Sequence, residues 1–174
     1  MAPQFHLQTR NTMITPTYLA EMAAYNTWQN QRLLELCGAL EEQALHHDRG
    51  LFFGSISATL YHILHIDHLI VRYVRDGVSP TGKRPVSYDT FAEFQDARNA
   101  FDEEIAAFAE AVETDWLAET IPIWGGRQVP RALLLMQLFN HQTHHRSQIT
   151  THLHMMGVDY GNTDIPFCPG SRWA

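Results

Sequence analysis

Eleven of the 174 residues are histidine, and eight of these fall in two short stretches. One holds His62, His65 and His68; the other holds His141, His144, His145, His152 and His154. A neutral imidazole is a nitrogen donor suited to zinc, nickel, copper or iron, whereas magnesium and calcium take oxygen. His141 and His145 are four residues apart, so on a helix they project from one face, about 40° apart. That is near enough to share one ion, with a third donor supplied by another element. In the first stretch each three-residue step turns the side chain by about 300°, so the three histidines cannot all face inward. His62, between Leu60-Tyr61 and Ile63-Leu64, has the most apolar setting and is the preferred third donor. Asp67 and His68 suit an exposed side or a subunit contact. His144 is a neighbour of His141 or a surface group, and His152 and His154 suit a solvated helix end.

Two related metal chemistries are excluded by residue type. The zinc-protease pattern HExxH needs a glutamate base between its ligands, and here the segment is His141-Gln142-Thr143-His144-His145. A di-iron carboxylate bundle needs Glu-x-x-His on two helices, and no glutamate in this chain has a histidine three residues later. Three histidines alone leave a coordination position open, which is the layout of a catalytic site. Two chemistries then compete: activation of a small thiol for transfer to a small-molecule electrophile, or activation of water for hydrolysis. Hydrolysis needs a base, for which Asp67, Glu21 and His144 are the candidates. A metal-binding or dimerisation protein without turnover is the third alternative. Asn26, Asn30 and Gln31 could orient ligands or simply be exposed. Arg127, Arg131 and Arg146 could meet an anionic substrate, although surface salt bridges suit each, and Arg146 suits a role in the fold or a dimer. Cys37 sits on an apolar helix face, and Cys168 reads as a buried structural thiol rather than a nucleophile.

Four long helical patterns must position these groups. The first opens at Thr15-Pro16, a capping oxygen followed by a proline, and runs to Cys37 and Gly38. The second starts after Ser55 and runs to Gly77, with Arg72 and Arg75 near its carbonyl end. Residues 76–88, with two prolines and two glycines, form a loop long enough to cross over along the bundle. The third pattern covers residues 89–113, with Phe91, Phe94, Phe101, Ile105 and Phe108 at helical steps. Residues 113–130 read as a connection or small hairpin, and residues 130–157 as the longest helix. The tail contains Ile165, Phe167 and Trp173 and is expected to pack along the helices. Residues 1–174 therefore read as one all-α domain, a four-helix bundle.

The balance of charge limits the partners. Twelve Lys and Arg against 19 Asp and Glu give a formal charge of −7, so there is no cation excess to displace counterions from a nucleic acid. No apolar run reaches the length of a membrane span. The opening residues lack the apolar core of a signal peptide, and the two cysteines form no CxxC pair. A cytoplasmic protein with no membrane or nucleic-acid partner is the expectation.

The segments AAYNTWQNQRLLEL, FFGSISATLYHILHIDHLIVRYV and NHQTHHRSQITTHL, with the ending GVDYGNTDIPF, together resemble the DinB/YfiT-like superfamily over almost the whole chain. The resemblance implies a four-helix bundle of up-down-down-up order with a divalent metal held by three histidines. Its ligand positions fall on His62, His141 and His145. Ser147 stands where that family often has glycine. Some relatives are transferases or isomerases that use a low-molecular-weight thiol and others are hydrolase-like, so a thiol-using transferase with zinc or nickel, working as a homodimer, is the leading expectation.

Overall fold

Three of the four long helices begin where a side-chain oxygen meets their free N–H groups. The computed structural model describes residues 13–77 and 87–173. Helix α1 (Pro16–Gly38) starts where the Thr15 hydroxyl accepts from the Tyr18 N–H at 3.1 Å. A one-turn helix, α2 (Glu42–His46), follows. Helix α3 (Ile56–Asp76) is capped by Ser55, which accepts from the Ala58 N–H at 3.1 Å. It stops at Gly77, whose φ of 68° suits a residue without a Cβ and lets its N–H close on the Tyr73 carbonyl. In α4 (Phe91–Ala111) the Thr90 hydroxyl accepts from the Glu93 N–H, while the Glu93 carboxylate accepts from the Asp89 N–H. The short α5 (Thr114–Ala118) leads into an antiparallel hairpin, β1 (Thr120–Pro122) with β2 (Gln128–Pro130). Helix α6 (Arg131–Met155) has no side-chain cap. It grows directly from β2, anchored by the Arg131 N–H on the Glu119 carbonyl at 2.9 Å.

Both of the sequence-derived caps, Thr15 and Ser55, are in place, and residues 113–130 do contain a hairpin. The sequence did not suggest α2 and α5, because one-turn helices carry no periodicity. Most of the expected crossover, residues 78–86, and the N-terminal residues 1–12 lie outside the described residues. Among the described helices none is long and apolar enough to cross a membrane.

The long helices pack most closely as two pairs, α1 with α4 and α3 with α6, around one shared apolar core. Leu19, Leu64, Phe94, Leu135, Leu138, Ile149 and Leu153 are almost wholly buried in it, each contributing about 1.5–3 kcal/mol. Polar contacts hold the tail along α1, whereas its expected apolar anchors Ile165, Phe167 and Trp173 are exposed. The Tyr25 hydroxyl donates to the Thr163 carbonyl at 2.8 Å, and Arg32 Nε donates to the Tyr160 carbonyl at 3.4 Å. Cys168 and Cys37 are buried, and burial pushes the Cys37 thiol up to about 12.

A chain of polar groups runs through the centre. Arg98 of α4 donates to Asp67 of α3 at 2.5 Å and to Asp102 on its own helix at 2.7 Å. Asp102 also accepts from Asn30 and Asn26 of α1, at 3.0 and 3.3 Å. Arg146 of α6 donates to Gln142 at 2.9 Å, to Asn30 at 3.2 Å and to Asn26. All seven side chains are buried.

Two expectations are corrected by this network: Asp67 is fully buried instead of lining an exposed side, and Asn26 and Asn30 are interior rather than surface groups. Arg146, expected to serve the fold or a dimer, is buried and bonded to α1 within the fold. In each case a partner on another helix supplies the hydrogen bonds that make burial tolerable. His68, also expected outside, is half-buried with its ring 3.7 Å from that of Phe101.

Burial pushes the Asp67 carboxyl up to about 7, against the pull of Arg98, and raises Asp102 as well. Replacing Arg98 by Met leaves Asp67 without its cation and takes one partner from Asp102, and is expected to cost about 3–5 kcal/mol near neutral pH. Without the cation the folded-state pKa values rise further above the unfolded ones. The folded variant then holds protons that the unfolded chain releases, so its deficit against the parent grows as pH rises. Urea unfolding of both proteins at pH 5 and pH 8 measures this, with the larger gap expected at pH 8.

Candidate metal centre

His62 lies two turns into α3, and His141 and His145 lie on the face of α6 that meets it. The structure brings together His141 and His145, chosen by spacing, and His62, chosen by its apolar setting: one ring nitrogen from each lies within 4.8 Å of the others. His62 Nε2 and His141 Nε2 are 3.1 Å apart. The rings of His141 and His145 have centroids 4.5 Å apart, and those of His62 and His145 are 4.9 Å apart, both pairs edge to face. Tetrahedral zinc with bonds of about 2.0–2.1 Å needs donors about 3.3 Å from one another. The first pair already has that spacing, and the third nitrogen lies within 4.8 Å of both. The donor set therefore fits a late first-row divalent ion.

Two further side chains define the surroundings. Phe53, in the tight turn before α3, stacks on His62 with centroids 3.9 Å apart and planes at 26°, and lies 5.5 Å from the His145 ring. That turn is closed by Arg49 N–H to Gly54 O and Gly54 N–H to Leu51 O, both 2.8 Å. On α6, His145 Nδ1 is 2.8 Å from the Gln148 side-chain oxygen. Burial is the main force on the titrations, with neighbouring histidines adding to it. It pushes His62 and His141 down to about 4 and lowers His145, whose bond to Gln148 pulls the other way. The rings are consequently neutral at pH 7, the form that carries a lone pair for a metal.

The remaining candidates are placed elsewhere. His144 is exposed, its ring 4.8 Å from that of His145. Asp67 is held by Arg98, and Glu21 is taken by the tail, accepting from the Ser171 hydroxyl at 2.8 Å and the Arg172 N–H at 3.0 Å. Arg131 pairs with Glu119 beside Trp116, Arg127 is exposed on the hairpin, and Gln31 is exposed on α1. Neither Phe53 nor Gln148 was singled out from the sequence. The spacing from His145 to Gln148, one helical turn, was a usable signal, whereas the placement of Phe53 depends on a turn that periodicity does not describe. Two open cavities, of about 350 and 450 Å³, lie along α1 and α6, and the histidines line neither. The cluster lies on the α3 side of α6, where the neutral donors define the chemistry.

The chain matches the model of the DinB family over residues 13–172, and it belongs to that family. It is also similar to the uncharacterized protein YrdA of Bacillus subtilis (strain 168), with 38% identity over 55 residues. That match covers 30% of this chain and 33% of YrdA, so the chain spans about a third of that relative's length.

The titrations predict how protons and metal compete. His62 and His141 are protonated only well below the ordinary imidazole pKa, so zinc uptake by the metal-free protein should be nearly level from pH 8 to pH 6. It should fall away as pH drops toward 4. The same shifts mean the unfolded chain binds more protons than the folded one between about pH 6.5 and 4, so the metal-free protein also loses stability on acidification through that window. Metal-to-protein ratios after equilibrium dialysis at each pH, paired with thermal melts, check both; a midpoint for zinc loss near pH 6.5 would contradict them.

Proposed function

We propose that the chain is a metal-dependent transferase. His62, His141 and His145 hold one divalent transition ion, zinc or nickel, and a low-molecular-weight thiol is activated beside them for transfer to a small electrophile. The observation that carries this is the convergence of three neutral imidazoles with no carboxylate among them. An ion so held keeps its full charge and favours thiolate over thiol at neutral pH. The work of the protein is to keep the three rings uncharged by burying them and to hold two of them in register on one helix.

Hydrolysis is the weaker reading on energetic grounds. A thiol has a pKa of about 8.5 and needs little help to ionise, whereas water at about 15.7 needs a great deal. Two of the three bases considered for it, Asp67 and Glu21, are committed to Arg98 and to the tail. The proposal takes residues 1–174 as one domain, a bundle of up-down-down-up order crossing over between α3 and α4, working in the cytoplasm as a homodimer. The pairing of α1 with α4 and of α3 with α6 supports that order.

Protein purified without an affinity tag should carry about one transition ion per chain by elemental analysis, and His141→Ala should carry less than about a tenth of that. Metal-loaded protein should conjugate small thiols to an electrophile panel, and the variant should not. Equal turnover by the two proteins overturns the proposal. Stoichiometric metal without thiol-dependent turnover overturns the transferase and leaves a metal-binding protein.

A further inference from the structure

We infer that Gln148 is a positioning residue of the metal centre, selecting which nitrogen of His145 carries the lone pair. The inference rests on the metal-binding reading above. The Gln148 oxygen lies 2.8 Å from His145 Nδ1. A carboxamide oxygen can only accept, so Nδ1 must carry the hydrogen and Nε2 the lone pair. Left alone, a neutral imidazole divides between two tautomers, and only one presents the correct atom to an ion. A hydrogen bond to the far nitrogen also restrains rotation of the ring, and partners of this kind are worth about 10–100-fold in metal affinity.

Position on the helix makes the arrangement specific. Residues 145 and 148 are one turn apart on α6, so the partner moves with the ligand and no loop intervenes. The other two histidines are held differently: His62 is stacked on Phe53, and His141 Nδ1 is buried without a partner among the described residues. His62 and His141 pair with each other through their Nε2 atoms at 3.1 Å, so His145 is the ring oriented by a side chain outside the trio. An amide orients it without adding negative charge, so the site stays neutral, as the proposed chemistry needs.

The test uses zinc alone, with a chromophoric chelator as competitor, and long-range ¹H–¹⁵N spectra of the metal-free protein. In the parent chain, His145 should show the Nδ1–H tautomer. Gln148→Leu should bind zinc about 10–100-fold more weakly and show mixed tautomers at His145, while Gln148→Glu, which still accepts from Nδ1, should keep the Nδ1–H form and bind at least as tightly as the parent. If the parent binds zinc and Gln148→Leu matches it, or if the parent His145 carries its proton on Nε2, the inference is overturned. If the parent takes up no zinc, the metal-binding reading fails instead; the tautomer measurement, made without metal, still decides what Gln148 does to the ring. Should Gln148→Leu fail to fold, the parent spectrum and Gln148→Glu carry the test.

Discussion

Two carboxylates and two guanidiniums buried together at the centre of four helices constrain everything else in this molecule. Asp67, Arg98, Asp102 and Arg146 sum to zero formal charge, and Asn26, Asn30 and Gln142 supply the hydrogen bonds that ions alone do not. The set is an unpromising source of raw stability, since desolvating four charges can cost more than their mutual attraction returns. Its effect is on which packing is allowed. A rotation of α6 that took Arg146 away from Asn26 and Asn30 would bury a cation among leucines, so alternative rotations of that helix are several kcal/mol less favourable.

The histidine cluster inherits its geometry from this restriction. On α6, Gln142 and Arg146 face inward to α1, and His141 and His145 each precede one of them by a single residue. One residue on a helix is a turn of about 100°. Fixing the inward pair therefore fixes the direction of the histidines, and it turns them toward α3. Across the gap, Asp67 does for α3 what Arg146 does for α6, and His62 sits five residues earlier on the same helix. Imidazoles from two helices thus converge because a separate set of polar contacts, deeper in the bundle, sets the rotation of both helices.

Local chemistry was legible in the sequence and long-range pairing was not. Thr15 and Ser55 announce helix starts because a cap acts within three residues, and the four-residue step from His141 to His145 places two rings on one face with no knowledge of the rest of the chain. His62 was favoured by its apolar neighbours. Asp67 was misplaced for an equally physical reason: its partner Arg98 is 31 residues away, and Asn26 meets Arg146 across 120 residues. No periodicity reports which charged residues will cancel across such distances. The last helix illustrates the difficulty, since its buried face includes Gln142, His145 and Arg146, and a search for an apolar stripe reads those positions as surface.

That mixture on α6 also accounts for how the helix can serve both fold and site. A helix buried through apolar side chains alone tolerates small slips, because leucine packs nearly as well against one neighbour as against the next. Hydrogen bonds are less forgiving, weakening steeply once the donor angle is lost. By anchoring α6 with directional contacts at Gln142 and Arg146, the chain holds the adjacent imidazoles more tightly than hydrophobic packing would, at the cost of a less stable core. The precision lies where donors must meet within tenths of an ångström; the apolar layers built on Leu135, Ile149 and Leu153 supply the bulk of the cohesion.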